Sequence, residues 1–175
     1  AQSDMQMTVL RTIGLSTAIA GALFLPGNPA VGAEEPQGEG NTGMFLETMV
    51  YHTQGWGELG VNEAAHEPGK TAQPLRIGEK TYETGLGSHA PSETVLLLEG
   101  RFSAFECEVG VQPALYGGTG DLVFRILADG REVFASGVMC AGEPAPPVKI
   151  DTRGVEELRL VTEDAPEIVD GTTSD

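Results

Sequence analysis

His89 stands in "TGLGSHAPSET", between glycines and a run of apolar strand formers, where an imidazole could do several kinds of chemistry. It could serve as a general base, ligate a metal, contact a ligand or brace a corner of the fold. A base needs a nucleophile and an orienting acid within reach. The neighbours offer only Ser88, Ser92 and Glu93, and the chain contains no G-x-S-x-G turn. A zinc site needs partners, yet His52, His66 and His89 are widely spaced and fit no H-E-x-x-H pattern. Bracing and ligand contact are the roles left, and the residues alone do not choose between them.

The only tryptophan, Trp56, lies in "QGWGELGVN". A sugar ring presents an apolar C–H face, and an indole offers it a flat surface while polar neighbours satisfy the hydroxyls. A lone indole between glycines can also plug the end of a β-sandwich. Tyr116, in "ALYGGTG", is a second platform candidate. "VDGTTSD" sets Asp170 and Asp175 in one glycine-containing loop, an oxygen-rich arrangement that suits calcium but lacks EF-hand spacing. Acidic loops are common in a chain this acidic, so that signal is weak alone. Cys107 and Cys140 form an even pair that permits a disulfide. Cys107 is expected to face the core and Cys140 to lie past its strand, which favours two free thiols. Glu156-Glu157 reads as a solvated face, and no opposed carboxylate pair of the glycosidase type is singled out.

The elements that must position these residues are strands. Gly and Pro together make 35 of 175 residues, natural for a chain of strands and turns. In "FSAFECEVGV" Phe105, Cys107, Val109 and Val111 share one face, while Glu106 and Glu108 share the other. "LVFRILADGREVFASGV" reads as a hairpin with Asp129-Gly130 as a type I′ turn. "PLRIGEKTYE" reads as another, with Gly78 first in a type II′ turn. "FLETMVY", "TVLLL" and "PVKIDTRGVEELRLVTED" supply further strands, and no window carries a helical apolar stripe. Strands at such short intervals predict an all-β antiparallel sandwich, with a closed barrel as the structural alternative.

Residues 1–33 differ from the rest. One base, Arg11, precedes a nearly uncharged apolar stretch from Thr12 to Pro26, and Val31 and Ala33 are placed for cleavage before Glu34. This matches a secretory signal peptide. This stretch of 15 residues would span about 22 Å as a helix, short of a bilayer core of about 30 Å. Translation is expected to start at Met5 or Met7, after upstream read-through. Residues 34–44 read as a disordered linker and 45–175 as the sandwich, whose last strand is expected to lie beyond Asp175. The formal charge of −16 argues against nucleic acid or anionic lipid as a partner.

"TQGWGELGVNEA", "LRIGEKTYETGLGSHAPSETVLLLEGRFSAFECEVGV", "GDLVFRILADGREVFASGVM", "VKIDTRGVEELRLVTED" and "DGTTSD" occur in the order seen in the NPCBM domain family. The chain resembles that family, close to the family 51 carbohydrate-binding modules, over about residues 45 to 175. The resemblance implies a galactose-binding-like jelly roll, carried by exported glycoside hydrolases and other extracellular or periplasmic proteins. It implies binding of galactose-type glycans and a bound calcium ion. It makes Asn62 and Glu93 further sugar-contact candidates beside Trp56, His89 and Tyr116, and Asn62 or Glu63 a calcium partner of Asp170 and Asp175. Two departures stand out: Gln112-Pro113 replaces the family's aspartate after "VGV", and the family's His- and Trp-containing last strand is missing. The expected function is a non-catalytic, secreted or periplasmic carbohydrate-binding module tethered to another domain. A glycoside hydrolase fragment and a jelly roll devoted to protein contacts are the alternatives.

Overall fold

The computed structural model describes residues 7–17, 46–112, 121–143 and 146–166, with the backbone alone for 7–17. Two five-stranded sheets face each other. The first is ordered β11 (Pro147–Asp151), β8 (Phe102–Gln112), β1 (Met7–Thr17), β6 (Leu86–His89) and β3 (Gly60–Val61). The second is ordered β10 (Arg131–Met139), β9 (Leu122–Ala128), β12 (Glu157–Asp164), β7 (Ser92–Leu97) and β2 (Met49–Gln54). Every strand pairing in them is antiparallel, so the chain is an all-β sandwich.

The two-residue period of β8 has the expected consequence. Phe105, Cys107, Val109 and Val111 are buried, and Glu106 and Glu108 lie toward solvent. Leu158, Leu160 and Thr162 of β12 are buried in the same alternating fashion. Burying one large apolar side chain such as Phe105 contributes about 1.5–3 kcal/mol relative to leaving it in water. Consecutive strands often switch sheets: the turn Glu99-Gly100 carries β7 of one sheet into β8 of the other, closed by Arg101 N donating to Leu98 O at 3.0 Å. Asp129 and Gly130 both have positive φ (48° and 77°), as a type I′ hairpin requires. The β4 (Leu75–Ile77) and β5 (Lys80–Tyr82) hairpin covers one end of the first sheet with its own small cluster of Leu75, Ile77 and Tyr82.

Gln112, the departure from the family's aspartate, staples that hairpin down. Its Oε1 accepts from Arg76 N at 2.9 Å and its Nε2 donates to Pro74 O at 3.2 Å, from a buried position. Both thiols are free, Cys107 buried and Cys140 exposed.

One expectation differs from the structure. A helical turn occupies 46–48, and the first strand of the 45–175 region starts at Met49, later than "FLETMVY" suggests. Met7–Thr17, read from sequence as part of a leader, forms β1 between β6 and β8. An apolar run with Thr8, Val9 and Ile13 suits a strand as well as a leader, and its composition does not separate the two. The expected linker 34–44, Tyr116, Asp170 and Asp175 lie outside the described residues.

Candidate functional site

The corner around Trp56 is built where β2 leaves its sheet. After Gln54 the chain loops over the end of β6, makes the short strand β3 against it, and returns through residues 62–66. Glu58 and His66 close the loop on itself, with Glu58 N donating to His66 O at 2.8 Å and His66 N to Glu58 O at 3.3 Å. Glycines make this packing possible. A Cβ on Gly87 would lie 2.4 Å from Ala65 N, and one on Gly57 would lie 2.7 Å from both His66 O and His89 Nδ1. Gly57 also has a φ of +73°, which side chains rarely adopt.

His89 ends β6 beneath this loop and is only 3% exposed. Its Nδ1–H donates to the Trp56 carbonyl at 2.7 Å, and the two rings meet at a 55° tilt with centroids 5.0 Å apart. Gln54 extends the brace: Nε2 donates to the same carbonyl at 2.8 Å, while Oε1 accepts from His89 N at 3.4 Å. That oxygen also takes the His52 Nε2–H at 3.1 Å, so His52 Nδ1 is left to accept from the Thr94 hydroxyl at 2.8 Å. Burial holds both imidazoles below the usual histidine range. At His89 the bond to the Trp56 carbonyl opposes that shift and the nearby His66 reinforces it.

The rim of the corner is acidic. Glu58 and Glu63 flank His66, each with a carboxylate oxygen 3.6 Å from a ring nitrogen, and both carboxylates are about half exposed. Half-buried Trp56 shares this loop with Glu58, Glu63 and His66. Glu58, His66, Gln54 and His52 were not singled out from sequence as site residues, and Glu63 was named only as a calcium partner. They are brought to Trp56 by the loop's return and by cross-strand pairing, which leave no local motif.

The other expected residues are placed differently. Asn62 bonds Gly85 on both sides, its N donating to Gly85 O at 2.8 Å and its Oδ1 accepting from Gly85 N at 3.2 Å. Glu93 lies on β7 with its carboxylate 2.8 Å from Arg159 Nη1, and Arg159 also reaches Glu157 at 2.7 Å. It therefore takes part in an ion-pair row on the second sheet, opposite Thr53 of β2. The Ser88 hydroxyl meets that of Ser92 at 3.0 Å, leaving His89 Nδ1 on a carbonyl and no serine nucleophile bonded to it.

A cavity of about 30 Å³ lies between the sheets, lined by Ser88, Ser92, Thr94, Thr162 and apolar side chains. That volume suits about one water molecule. Among the described residues no group of three His, Cys, Asp or Glu could hold a metal. Of the expected calcium ligands Asn62 and Glu63 are described; the Asn62 Oδ1 accepts one bond and keeps a second lone pair, which is compatible with a cation contact, and the Glu63 carboxylate lies 3.6 Å from His66. No described helix is long and apolar enough to cross a membrane.

Residues 46–175 match the NPCBM/NEW2 domain family. The chain belongs to the NPCBM/NEW2 domain family. It is 30% identical over 109 residues, 62% of its length, to a Renibacterium salmoninarum protein described as "Putative endo-alpha-N-acetylgalactosaminidase", and spans 7% of that protein. Among solved structures it resembles CBM51 from Clostridium perfringens GH95 in complex with methyl-galactose, at 30% identity and a TM-score of 0.57. That match covers 66% of this chain and 81% of the other. It also resembles the Clostridium perfringens ZmpB structure that joins an M60 catalytic domain to CBM51-1 and CBM51-2, at 32% identity and a TM-score of 0.62. There the match covers 75% of this chain and 14% of the other. Family and fold together mark this NPCBM domain as a non-catalytic carbohydrate-binding module with a galactose-binding-like sandwich.

Proposed function

We propose that this NPCBM domain holds galactose-type glycans at the Trp56 corner and targets an attached glycoside hydrolase or envelope protein to them. The observation that carries this reading is the tethered indole. His89 and Gln54 fix its backbone carbonyl, so the ring is held with little entropy left to lose on binding. The indole would receive the apolar face of the sugar, and the Glu58 and Glu63 carboxylates would accept hydrogen bonds from its hydroxyls. His89 positions the indole from below. The methyl-galactose complex of the Clostridium perfringens CBM51 supports the choice of sugar.

Monovalent affinity at such an open site would be modest, and tethering would raise the effective concentration of an attached enzyme near its polymer. The short share of the larger relatives that this chain spans supports a tethered role. The same reading places the protein in the secreted or periplasmic space, with residues 1–33 as a cleaved leader. It also gives calcium a structural role, with Asp170, Asp175 and Asn62 as the residues that would hold it.

Calorimetric titration with methyl-galactoside and galactose-terminated oligosaccharides tests the reading. Saturable binding that EDTA weakens, without hydrolysis of aryl-galactosides, is the expected outcome. Turnover by this chain would assign the chemistry to the domain itself, and binding to none of these sugars would refute the specificity.

A further inference from the structure

We propose that the outer face of the second sheet around Tyr51 is a further sugar-contact surface, which takes the inner residues of a neutral glycan whose end sits at the Trp56 corner. The class of ligand rests on the reading above; the surface itself follows from strand β2. Successive side chains of a strand point to opposite faces. On β2, His52 and Gln54 point inward, to Thr94 and to the Trp56 carbonyl. Tyr51 and Thr53 therefore point outward, and Tyr51 is 51% exposed. On neighbouring β7, Leu96 belongs to the core between the sheets, so Val95 lies on the outer face. Val95 is nevertheless only 5% exposed, so outer side chains cover it. Its cross-strand partners are Tyr51 on one side and Arg159 of β12 on the other. Such partners lie about 5 Å apart at Cβ, which makes the phenol ring, Val95 and the Arg159 stem one continuous patch.

Polar groups border this patch. Thr53 and Glu93 stand opposite each other on the side toward Trp56, and Arg159 reaches Glu93 at 2.8 Å and Glu157 at 2.7 Å. These three ion-paired side chains are 34–39% exposed, within reach of a ligand. An open aromatic ring edged by a hydroxyl and charged hydrogen-bonding groups suits a sugar, whose C–H face meets the ring while its hydroxyls meet the edge. Two carboxylates already neutralise the Arg159 guanidinium, and the formal charge of −16 repels anions, so a neutral glycan fits and a sulfated one does not. β2 joins the two surfaces. Tyr51 precedes Gln54 by three residues, a rise of about 10 Å, and Gln54 Nε2 holds the Trp56 carbonyl. A glycan anchored at Trp56 therefore meets Tyr51 only if it is long enough to run back along β2.

Calorimetry on the full chain with methyl-galactoside and a neutral galactose-terminated hexasaccharide tests this. The hexasaccharide should bind about threefold to tenfold more tightly, the effect of one further aromatic contact. Tyr51→Thr, which keeps a strand former, should lower its affinity to that of methyl-galactoside, and Tyr51→Phe should retain the gain. Equal affinity for the two sugars, or a gain that survives Tyr51→Thr, would overturn the proposal. Self-association that Tyr51→Thr abolishes, with no gain for the hexasaccharide, would hand the face to a second copy and also overturn it. Tyr51-dependent binding of the hexasaccharide without binding of methyl-galactoside would refute the Trp56 reading and uphold this one. Binding of neither would overturn both.

Discussion

The His89 imidazole donates to the carbonyl of Trp56 from 2.7 Å while its ring packs 5.0 Å from the indole, so one buried side chain holds the backbone and meets the ring of the half-buried aromatic. Gly57 is what lets the two approach. Gly57→Ala would set a Cβ 2.7 Å from His66 O and His89 Nδ1. The left-handed backbone alone costs about 1–3 kcal/mol for a side chain, and the overlap adds to it. Gly130→Ala, with φ +77° and open space around it, should cost only about 1–2 kcal/mol. Denaturant unfolding of the two variants checks the difference, and sugar affinity should fall in Gly57→Ala alone.

Much of the fold was legible because its signals are local. The alternation of β8 and the Asp129-Gly130 pair each lie within a few residues. The Trp56 corner was legible only in part. Trp56 and His89 stood out by type, but their contact spans 33 residues and depends on the path of one loop. The roles of Glu58, Glu63 and His66 follow from that path. The pairing of Glu93 was illegible for the same reason, since strand register hands it to Arg159. The 46–48 turn shows the other failure: short apolar runs carry no period long enough to choose between helix and strand.

Stability should fall on mild acidification. His52 and His89 are held neutral in the fold by burial, whereas in the unfolded chain they titrate near 6.5. Between the lowered folded values and about 6.5 the unfolded chain binds more protons, so the folded state loses ground as pH drops. The contribution is present in full above about 6.5 and is lost below it. Midpoints measured from pH 8 to 5 should decline for the native chain and decline less for His52→Gln.

Thr152 carries a fully buried hydroxyl with no hydrogen-bond partner among the described residues. Thr152→Val keeps the shape and removes the unmet group. It should stabilise the chain by about 1 kcal/mol, read from the denaturant midpoint at constant slope.

The two thiols should react differently. Burial pushes the Cys107 thiol far up, while Cys140 is exposed and raised chiefly by its hydrogen bond to Asp121. A thiol-disulfide reagent at pH 8 should therefore titrate one thiol per folded chain and two after denaturation.

The most direct test of the sugar site uses the chain's only tryptophan as its reporter. Methyl-galactoside should change Trp56 fluorescence saturably, and Trp56→Ala should lose calorimetric binding at least about tenfold while keeping the β-sheet circular dichroism spectrum. Sugar binding that leaves the Trp56 signal and the Trp56→Ala affinity unchanged would contradict the account.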